Sequence, residues 1–437
     1  MKHVTCCIFM SSLAAAESME AAVEAGADGG SLGRVAADAG VGSFAEDGMA
    51  TLHGTAFASD DAWRMLLEGR MRLRMLDRGP DEPALRREDW DEPSDFAHIL
   101  RDFTIEDELA PEGRFEIHVG EHDGATVGHG TIVRDYTNAV DPDHLHAGAS
   151  VRIEHPWYGF EALVDDVTGP RLVAARASGH PVEEHLSVGA TAAFDLWAPE
   201  SVRENLDGTR SIDGARNLET YGRTLTMVGG DLDVRVADDA VAFTPYVDGN
   251  LHFGLGAGLH AGGLVEITPA SARLALRGEY RLGSDGYIPA YADALYDLTR
   301  LQFTLAAPER DPATQRAAAD AGGFGGHGFL AEASVEAKRM KLAGGFSRRP
   351  GPEGNLLGVR LDVPTGRRVV VGARWLHRAI GQTPGLEGAV VGAGVRVMLS
   401  KAIYATSDYA RLFLLDPSGV FAPIHVATIG VGGMLSF

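Results

Sequence analysis

The chain ends with Ile429-Gly430-Val431-Gly432-Gly433-Met434-Leu435-Ser436-Phe437. Counting back from Phe437, every second residue is apolar or glycine, and the residues between them are serine, methionine and two glycines. An alternation with a period of two predicts a β-strand with one apolar face. Terminal residues usually fray unless neighbouring structure captures them, so this pattern predicts a last strand that is built into a sheet.

This terminal strand resembles the closing strand of bacterial outer-membrane β-barrels, which ends in phenylalanine and has apolar residues at alternate positions before it. The matching residues are Phe437, Leu435, Val431 and Ile429, whereas Gly433 departs from the bulky residue usual at its position. The resemblance implies that these four residues form the signal read by the barrel-assembly machinery. It also implies a location in the outer membrane of a Gram-negative bacterium. An ordinary C-terminal edge strand of a soluble β-protein is the alternative interpretation.

The opposite end of the chain predicts a targeting segment. A basic start, an apolar run and three alanines predict a secretory signal peptide of residues 1–16. Both cysteines, Cys6 and Cys7, fall inside it, so the processed chain would have no thiol for a disulfide or a Cys-based site. Residues 17–48 are rich in Ala, Gly, Asp and Glu, which predicts a flexible leader before a barrel of residues 49–437.

The composition excludes two classes of protein. The net charge of -22 argues against a nucleic-acid partner, because a phosphate-binding surface must be basic. No stretch approaches the roughly 18 consecutive apolar residues that a membrane helix needs. If the chain spans a bilayer, it therefore does so with strands.

From Met49 onward, short alternating runs are separated by turn-rich breaks, which predicts an all-β protein. The runs predict an antiparallel up-and-down barrel of about 16–18 strands. They cover residues 50–57, 67–76, 114–120, 146–153, 158–164, 172–178, 187–197, 224–236, 240–247, 251–267, 272–282, 328–336, 339–347, 356–363, 368–377, 389–399, 403–414 and the run from 421.

The breaks between these runs alternate in length over the last strands. Residues 364–367 and 400–402 are tight turns, whereas residues 348–355 and 379–387 are longer. Outer-membrane barrels have short periplasmic turns and longer external loops, so the longest insertions, 199–223 and 283–327, are expected outside. Residues 77–111 contain four prolines and do not fit the strand series; we expect a plug, a periplasmic insert or a linker there.

The residues between the apolar ones are glycines and charged residues of both signs. A lipid-facing arginine near the bilayer centre costs roughly 2–4 kcal/mol, so these residues are expected to face a water-filled lumen. About eight strands fill their own interior, whereas 16 to 18 leave a channel. The predicted lumen-lining residues are Arg70, Arg72, Arg74, Arg152, Asp231, Asp233, Arg235, Arg273, Arg277, Glu279, Arg281, Glu332, Glu336, Arg360, Asp362, Arg374 and Arg396.

The densest group of metal-ligating residue types lies between His118 and His146. Its weak candidates for a metal site are His122, His129 and His144, but their spacing matches no helix-borne ligand pair. There is no Gly-x-Ser-x-Gly nucleophile motif, and the glycine-rich runs at 254–258 and 322–326 lack the helix of a phosphate loop. The sequence therefore predicts no catalytic residue and no cofactor.

These patterns favour a porin-like channel for small solutes. The expected partners are the lipid bilayer, the barrel-assembly machinery and small solutes, and a homotrimer is left open. One alternative is a structural or interaction barrel that displays long external loops without transport. A second alternative is an outer-membrane hydrolase.

Overall fold

Twenty antiparallel strands form one closed barrel in the structure, a computed structural model. It describes residues 32–76, 83–109, 112–238, 240–269, 271–305, 313–338, 340–351, 354–365 and 368–436. The predicted signal peptide and Phe437, the last residue of the predicted assembly signal, lie outside the described residues. The prediction of an all-β, up-and-down barrel is confirmed.

The barrel strands are numbered here in chain order. They are β1 Leu32–Phe44, β2 Asp47–Asp60, β3 Trp63–Leu76, β4 Leu100–Leu109, β5 Gly113–Gly120, β6 Gly148–His155, β7 Tyr158–Val164, β8 Leu172–Gly179, β9 Leu186–Val202, β10 Thr220–Val234, β11 Val241–His252, β12 Gly256–Ile267, β13 Ala272–Gly283, β14 Gly326–Ala337, β15 Met340–Arg348, β16 Asn355–Thr365, β17 Val369–Arg378, β18 Ala389–Met398, β19 Ile403–Leu415 and β20 Phe421–Ser436.

The remaining elements are short. Within the described ranges, three helices, α1 Pro93–Ala97, α2 Tyr296–Thr299 and α3 Gln315–Ala321, and a 3-10 turn at Arg87–Asp89 lie in connections between strands. Asp123–Ala125 pairs with Tyr136–Thr137, Val236–Ala237 continues the pairing of β10 with β11, and Pro181–Glu184 precedes β9. Among the described residues, no helix is long and apolar enough to span a membrane.

Each strand pairs with the next one along the chain, and β20 closes the barrel by pairing with β1. In that last pairing Arg34 lies opposite Ser436 and Phe44 lies opposite Val426. The two strands approach closely at Gly42, where an added Cβ would lie 1.8 Å from the carbonyl oxygen of Ala427. A side chain at this position would force the closing strands apart.

All eighteen predicted runs overlap barrel strands, and the two further strands correct the predicted boundaries. β1 lies inside the predicted leader of residues 17–48, and β2 begins at Asp47, so the barrel includes residues 32–48 and does not begin at 49. β4 lies inside residues 77–111, which were not expected to contain a strand. β1 was missed because six of its 13 residues are Ala or Gly, and β4 because prolines and an acidic run surround its alternating Phe103 and Ile105.

The two faces of the wall have opposite character. Apolar side chains such as Met71, Leu232 and Leu276 are exposed, with 41–44% of their surface accessible. Their neighbours along the same strands, Arg72 and Asp231, are buried. The apolar face of the strands therefore points outward and the ionised face inward, which is the arrangement that a barrel surrounded by lipid requires.

The connections at the two ends of the barrel differ in length. At the end where β20 finishes, strands are joined by few residues, for example residues 61–62 between β2 and β3 and residues 399–402 between β18 and β19. At the other end the connections include residues 77–99, 121–147, 203–219 and 284–325. Two of these long connections fold back into the barrel, and they determine the character of its interior.

Candidate functional site: the barrel interior

The first of these connections, residues 121–147, is here called the crossing segment because it contacts both sides of the wall. On one side the Gly128 amide donates to Glu161 on β7 at 3.0 Å, and the Thr131 hydroxyl donates to Asp248 on β11 at 2.7 Å. On the other side Arg134 forms an ion pair with Glu332 on β14. Because Asp248 and Glu332 lie near the middle of their strands, the segment crosses the barrel at about mid-height.

A second contact fixes the start of the crossing segment. Arg360 on β16 donates to the Asp123 carboxylate at 3.0 Å, and Arg374 on β17 lies 3.6 Å from it. At the far end of the segment, Asp143 is paired with Arg86. Arg86 also pairs with Asp89, which accepts from Arg72 on β3 at 2.6 Å. Residues 86–89 are thereby tied both to the wall and to the crossing segment.

The second inward connection, here called the mouth segment, comprises residues 284–305 and 313–325. It carries three buried tyrosines: the hydroxyls of Tyr291 and Tyr296 donate to Asp195 on β9 at 3.0 and 2.6 Å, and the Tyr287 hydroxyl lies 2.6 Å from Nε2 of His260 on β12. Aromatic rings bury a large area, and their hydroxyl groups need partners when buried. The tyrosines therefore attach the segment to the inner wall by both packing and hydrogen bonds.

The crossing and mouth segments also pair with each other. The amides of Ala290 and Ala292 donate to the carbonyl groups of Thr131 and Ile132 at 2.9 and 3.1 Å, and the Arg134 amide donates to Ala292 at 2.9 Å. A buried apolar cluster surrounds this junction; it includes Val133, Tyr136, Ile288, Tyr291 and Phe303. The two segments thus form one unit, and part of the barrel interior is a packed core.

Ionisable groups in these connections have shifted pKa values. Burial, reinforced by Asp165, raises the pKa of Asp297 to about 7 despite the opposing charges of Arg171 and Arg300. Burial opposes the charged form of His144, but Asp141, 2.9 Å from its Nδ1, raises the pKa of His144 to about 9. Burial lowers the pKa of His122 to about 3, with the His118 charge adding to the effect. His122 is therefore neutral and His144 is a cation near neutral pH.

The charged groups predicted to line the lumen are mostly paired with neighbours on the same face of the wall. Several pairs are two residues apart on one strand, as in Arg70–Glu68 at 3.0 Å, Arg277–Glu279 at 2.8 Å and Arg360–Asp362 at 2.6 Å. Residues two apart on a strand share a face, which makes this spacing favourable for a pair. These charged groups therefore form local pairs along the wall.

The other predicted lumen residues have the following positions and partners. Six of these groups have ion-pair partners of opposite charge: Arg281 (with Glu279), Arg273 and Arg235 (both with Glu266), Arg152 (with Glu161), Arg74 (with Asp47 and Glu88) and Asp231 (with Arg176). Asp233 pairs with His129. The guanidinium of Arg396 lies over the ring of Tyr404. Glu336 pairs with Lys341 at the short-turn end of β14 and β15, where their side chains are 42% and 53% exposed. The structure therefore places Glu336 at the rim of the barrel.

The three weak metal candidates have separate environments. His122 Nε2 lies 2.9 Å from the carbonyl oxygen of Val164, a hydrogen bond that occupies this nitrogen. His144 is paired with Asp141. His129 alone lies beside two carboxylates, those of Asp231 and Asp233 on β10.

Several residues that position the inward segments were not predicted from the sequence. They include Arg134, Asp195, Asp293 and the tyrosines at 287, 291 and 296. The repeated tyrosines were an available signal, because an exposed loop has little use for three aromatic rings within ten residues. The partners of the charged residues were not available, since they lie far away in the sequence.

Comparisons with known proteins identify no family. No protein-family model matches the sequence, and no curated protein matches it. Solved structures that are similar include a mutant ferric enterobactin receptor of Pseudomonas aeruginosa (10% identity, 94% of this chain and 81% of that chain, TM-score 0.35). They also include OccK10 (OpdN) of Pseudomonas aeruginosa (9%, 93% and 99%, 0.33) and a mutant Rhodopseudomonas blastica porin (9%, 92% and 99%, 0.32). At these identities and TM-scores the similarity carries no argument about function.

The class of protein follows from the chain's own geometry. The barrel is closed, its exterior is apolar and its ionised residues lie inside. Its short connections lie at one end and its long connections at the other. These features define a β-barrel of the outer-membrane type.

Proposed function

We propose that the chain is a channel for small hydrophilic solutes in the outer membrane of a Gram-negative bacterium, narrowed at mid-height by the crossing segment. The observation that carries the proposal is that inward-facing charges keep contact with solvent. The side chains of Arg70, Arg152 and Glu161 are 30%, 28% and 22% exposed, although they lie on the inner face of the wall. Charged side chains in a dry interior are fully enclosed by their partners, so these exposed fractions support a water-filled space beside the inward segments.

The orientation of this channel follows from the connections. Outer-membrane barrels have short turns on the periplasmic side and long loops outside. We therefore assign the end where β20 finishes to the periplasm and the mouth segment to the external side. In this orientation a solute would meet the mouth segment first and the crossing segment next.

The proposed selectivity depends on the size of the path and on charge. The inward segments restrict the path to small molecules, and charges of both signs along it act on ions at short range. In water, a unit charge about 7 Å from an ion contributes about 0.6 kcal/mol, which corresponds to roughly a threefold change in local ion concentration. The proposed protein is non-enzymatic, and its partners are the lipid bilayer, the barrel-assembly machinery and the solutes.

Ion conductance across a planar bilayer tests the proposal. We expect purified protein to form ion-conducting pores, and Arg70→Ala combined with Arg152→Ala to shift the permeability ratio toward cations by at least about threefold, since each of the two inner positive charges raises the local anion concentration and lowers that of cations. Arg203→Ala is the matched control: this arginine is 58% exposed in the external connection 203–219, and its loss should leave the ratio unchanged. Unchanged selectivity in the double variant would contradict the assignment of these residues to the path.

A second function is favoured by one observation on the external connections. Residues 203–219 form two successive turns, one closed by the bridge Glu204–Arg210 and the other by Ile212–Leu218, and Leu206 in the first turn is fully exposed. An apolar residue presented in this way suits contact with a partner protein. Absence of current from a correctly folded barrel would favour this interaction function over transport.

A further inference from the structure

The tip of the crossing segment meets the wall at one histidine and two carboxylates. His129 Nε2 lies 3.3 Å from Asp233 Oδ2 and 3.6 Å from Asp231 Oδ1. One potential ligand atom from each of the three residues lies within 4.8 Å of the others. We propose that His129, Asp231 and Asp233 bind a divalent transition-metal ion of the Zn²⁺ type, which fastens the crossing segment to the inner wall.

The spacing suits such an ion. Bonds from zinc to imidazole nitrogen and carboxylate oxygen are about 2.0–2.1 Å long, so neighbouring ligand atoms of a tetrahedral site lie about 3.3 Å apart. The two distances from His129 are close to this value. Small side-chain rotations would therefore bring the three ligand atoms onto one ion without movement of the backbone.

The imidazole of His129 is held in position by other contacts. Its ring stacks on Tyr246 with centroids 4.2 Å apart and planes 6° from parallel, and its backbone carbonyl group accepts a hydrogen bond from Arg277. Nε2 is nevertheless buried, and within the part of the chain that the structure describes its contacts with the two carboxylates do not have the geometry of a hydrogen bond. Buried polar atoms in proteins nearly always have partners, and a bound metal ion would be one.

The charge around the three residues favours a cation. Asp231 and Asp233 together balance a doubly charged ion, although Asp231 also accepts two hydrogen bonds from Arg176, at 2.6 and 2.9 Å. Glu161, 3.6 Å from Arg176, offsets that positive charge. Asp248 lies opposite Asp231 in the pairing of β10 with β11, and its buried Oδ1 has no hydrogen-bond partner among the described residues. Arg277, which contacts the His129 carbonyl group, is paired with Glu279 at 2.8 Å. The carboxylates around the three ligands therefore outnumber the two guanidinium groups, Arg176 and Arg277.

Calorimetric titration of the folded, detergent-solubilised protein with Zn²⁺ tests the site. We expect Asp233→Asn and His129→Gln each to weaken the tightest binding at least about tenfold, because each removes a ligand. His144→Gln is the matched control, since it removes another buried histidine that is paired with an aspartate. Circular dichroism and heat-dependent gel migration confirm that each variant is folded. Equal Zn²⁺ affinity of the wild type and the two ligand variants, or absence of binding to the wild type, would overturn the proposal.

A second measurement needs no variant. Co²⁺ added to the wild-type protein should give the intense visible absorption of a four-coordinate ion with mixed nitrogen and oxygen ligands. A weak spectrum identical to that of Co²⁺ in buffer would overturn the proposed geometry. Both measurements are made in detergent and do not depend on ion conductance. Absence of Zn²⁺ or Co²⁺ binding would therefore not contradict the proposed channel, and absence of conductance in the bilayer would not contradict the metal site.

Discussion

The Arg134→Met variant is expected to lose about 3–5 kcal/mol of its free energy of unfolding, because the substitution leaves a buried carboxylate without its partner. Arg134 pairs with Glu332 on β14 and lies 3.3 Å from Asp135. The side chains of Arg134 and Glu332 are 8% and 3% exposed, so water does not replace the lost partner. Denaturant unfolding followed by circular dichroism measures the change.

The same variant should also alter conductance. Arg134 holds the crossing segment to one side of the wall, so its removal is expected to loosen the narrowest part of the proposed path and to raise single-channel conductance. Arg203→Met, which breaks an exposed ion pair with Glu219, should cost less than about 1 kcal/mol and leave conductance unchanged. Arg134→Met with Glu332→Gln should recover part of the lost stability, because the buried charge that faced Arg134 on β14 is then removed as well, whereas the contact of Asp135 with Arg134 is still lost. A stability loss under 1 kcal/mol for Arg134→Met would contradict the role assigned to this pair.

The second large effect is expected at Asp293 in the mouth segment. Its carboxylate accepts from Arg378 of β17 at 2.7 Å and lies 3.4 Å from Arg349, in the connection between β15 and β16. All three side chains are buried, and burial together with the nearby Arg378 charge lowers the pKa of Arg349 to about 9. Asp293 is thus the carboxylate that balances two buried cations.

The Asp293→Asn variant should therefore be destabilised by about 3–5 kcal/mol, although the side chain keeps its size. The measurement is the midpoint of urea unfolding, with the slope of the transition checked for a change in mechanism. Glu219→Gln is the matched control, since that carboxylate pairs with Arg203 at an exposed position and should contribute less than about 1 kcal/mol. Equal midpoints for the two variants would show that Asp293 does not hold the mouth segment.

The strands were predictable from the sequence to the extent that bulky apolar residues mark every second position. β3 is clear because Met71, Leu73 and Met75 alternate with arginines. β1 carries the same geometry with alanine and glycine, whose small side chains give almost no alternation in hydrophobicity. The position of β1 in the barrel is determined instead by its pairing with β20, a contact between the first and the last barrel strand.

The inner face was predictable for a different reason. An arginine on the lipid side costs several kcal/mol, so the direction of Arg70, Arg72 and Arg74 follows from energetics alone. Their partners do not follow, because Asp89 and Glu88 belong to a connection whose path depends on the whole barrel. The inward folding of the crossing and mouth segments was missed for the same reason: hydrophilic loops are ordinarily read as external.

The outward direction of the apolar face is tested most directly by the orientation of neighbouring side chains on β3 in a lipid bilayer. One spin label at a time is attached, in the variants Arg70→Cys, Met71→Cys, Arg72→Cys and Leu73→Cys. For each label, the accessibility to oxygen, which partitions into lipid, is compared with the accessibility to a water-soluble nickel complex. The labels at 71 and 73 should be reached mainly by oxygen, and those at 70 and 72 should not. The reverse alternation, or uniform accessibility, would contradict a barrel with its apolar face toward lipid and its charges inside.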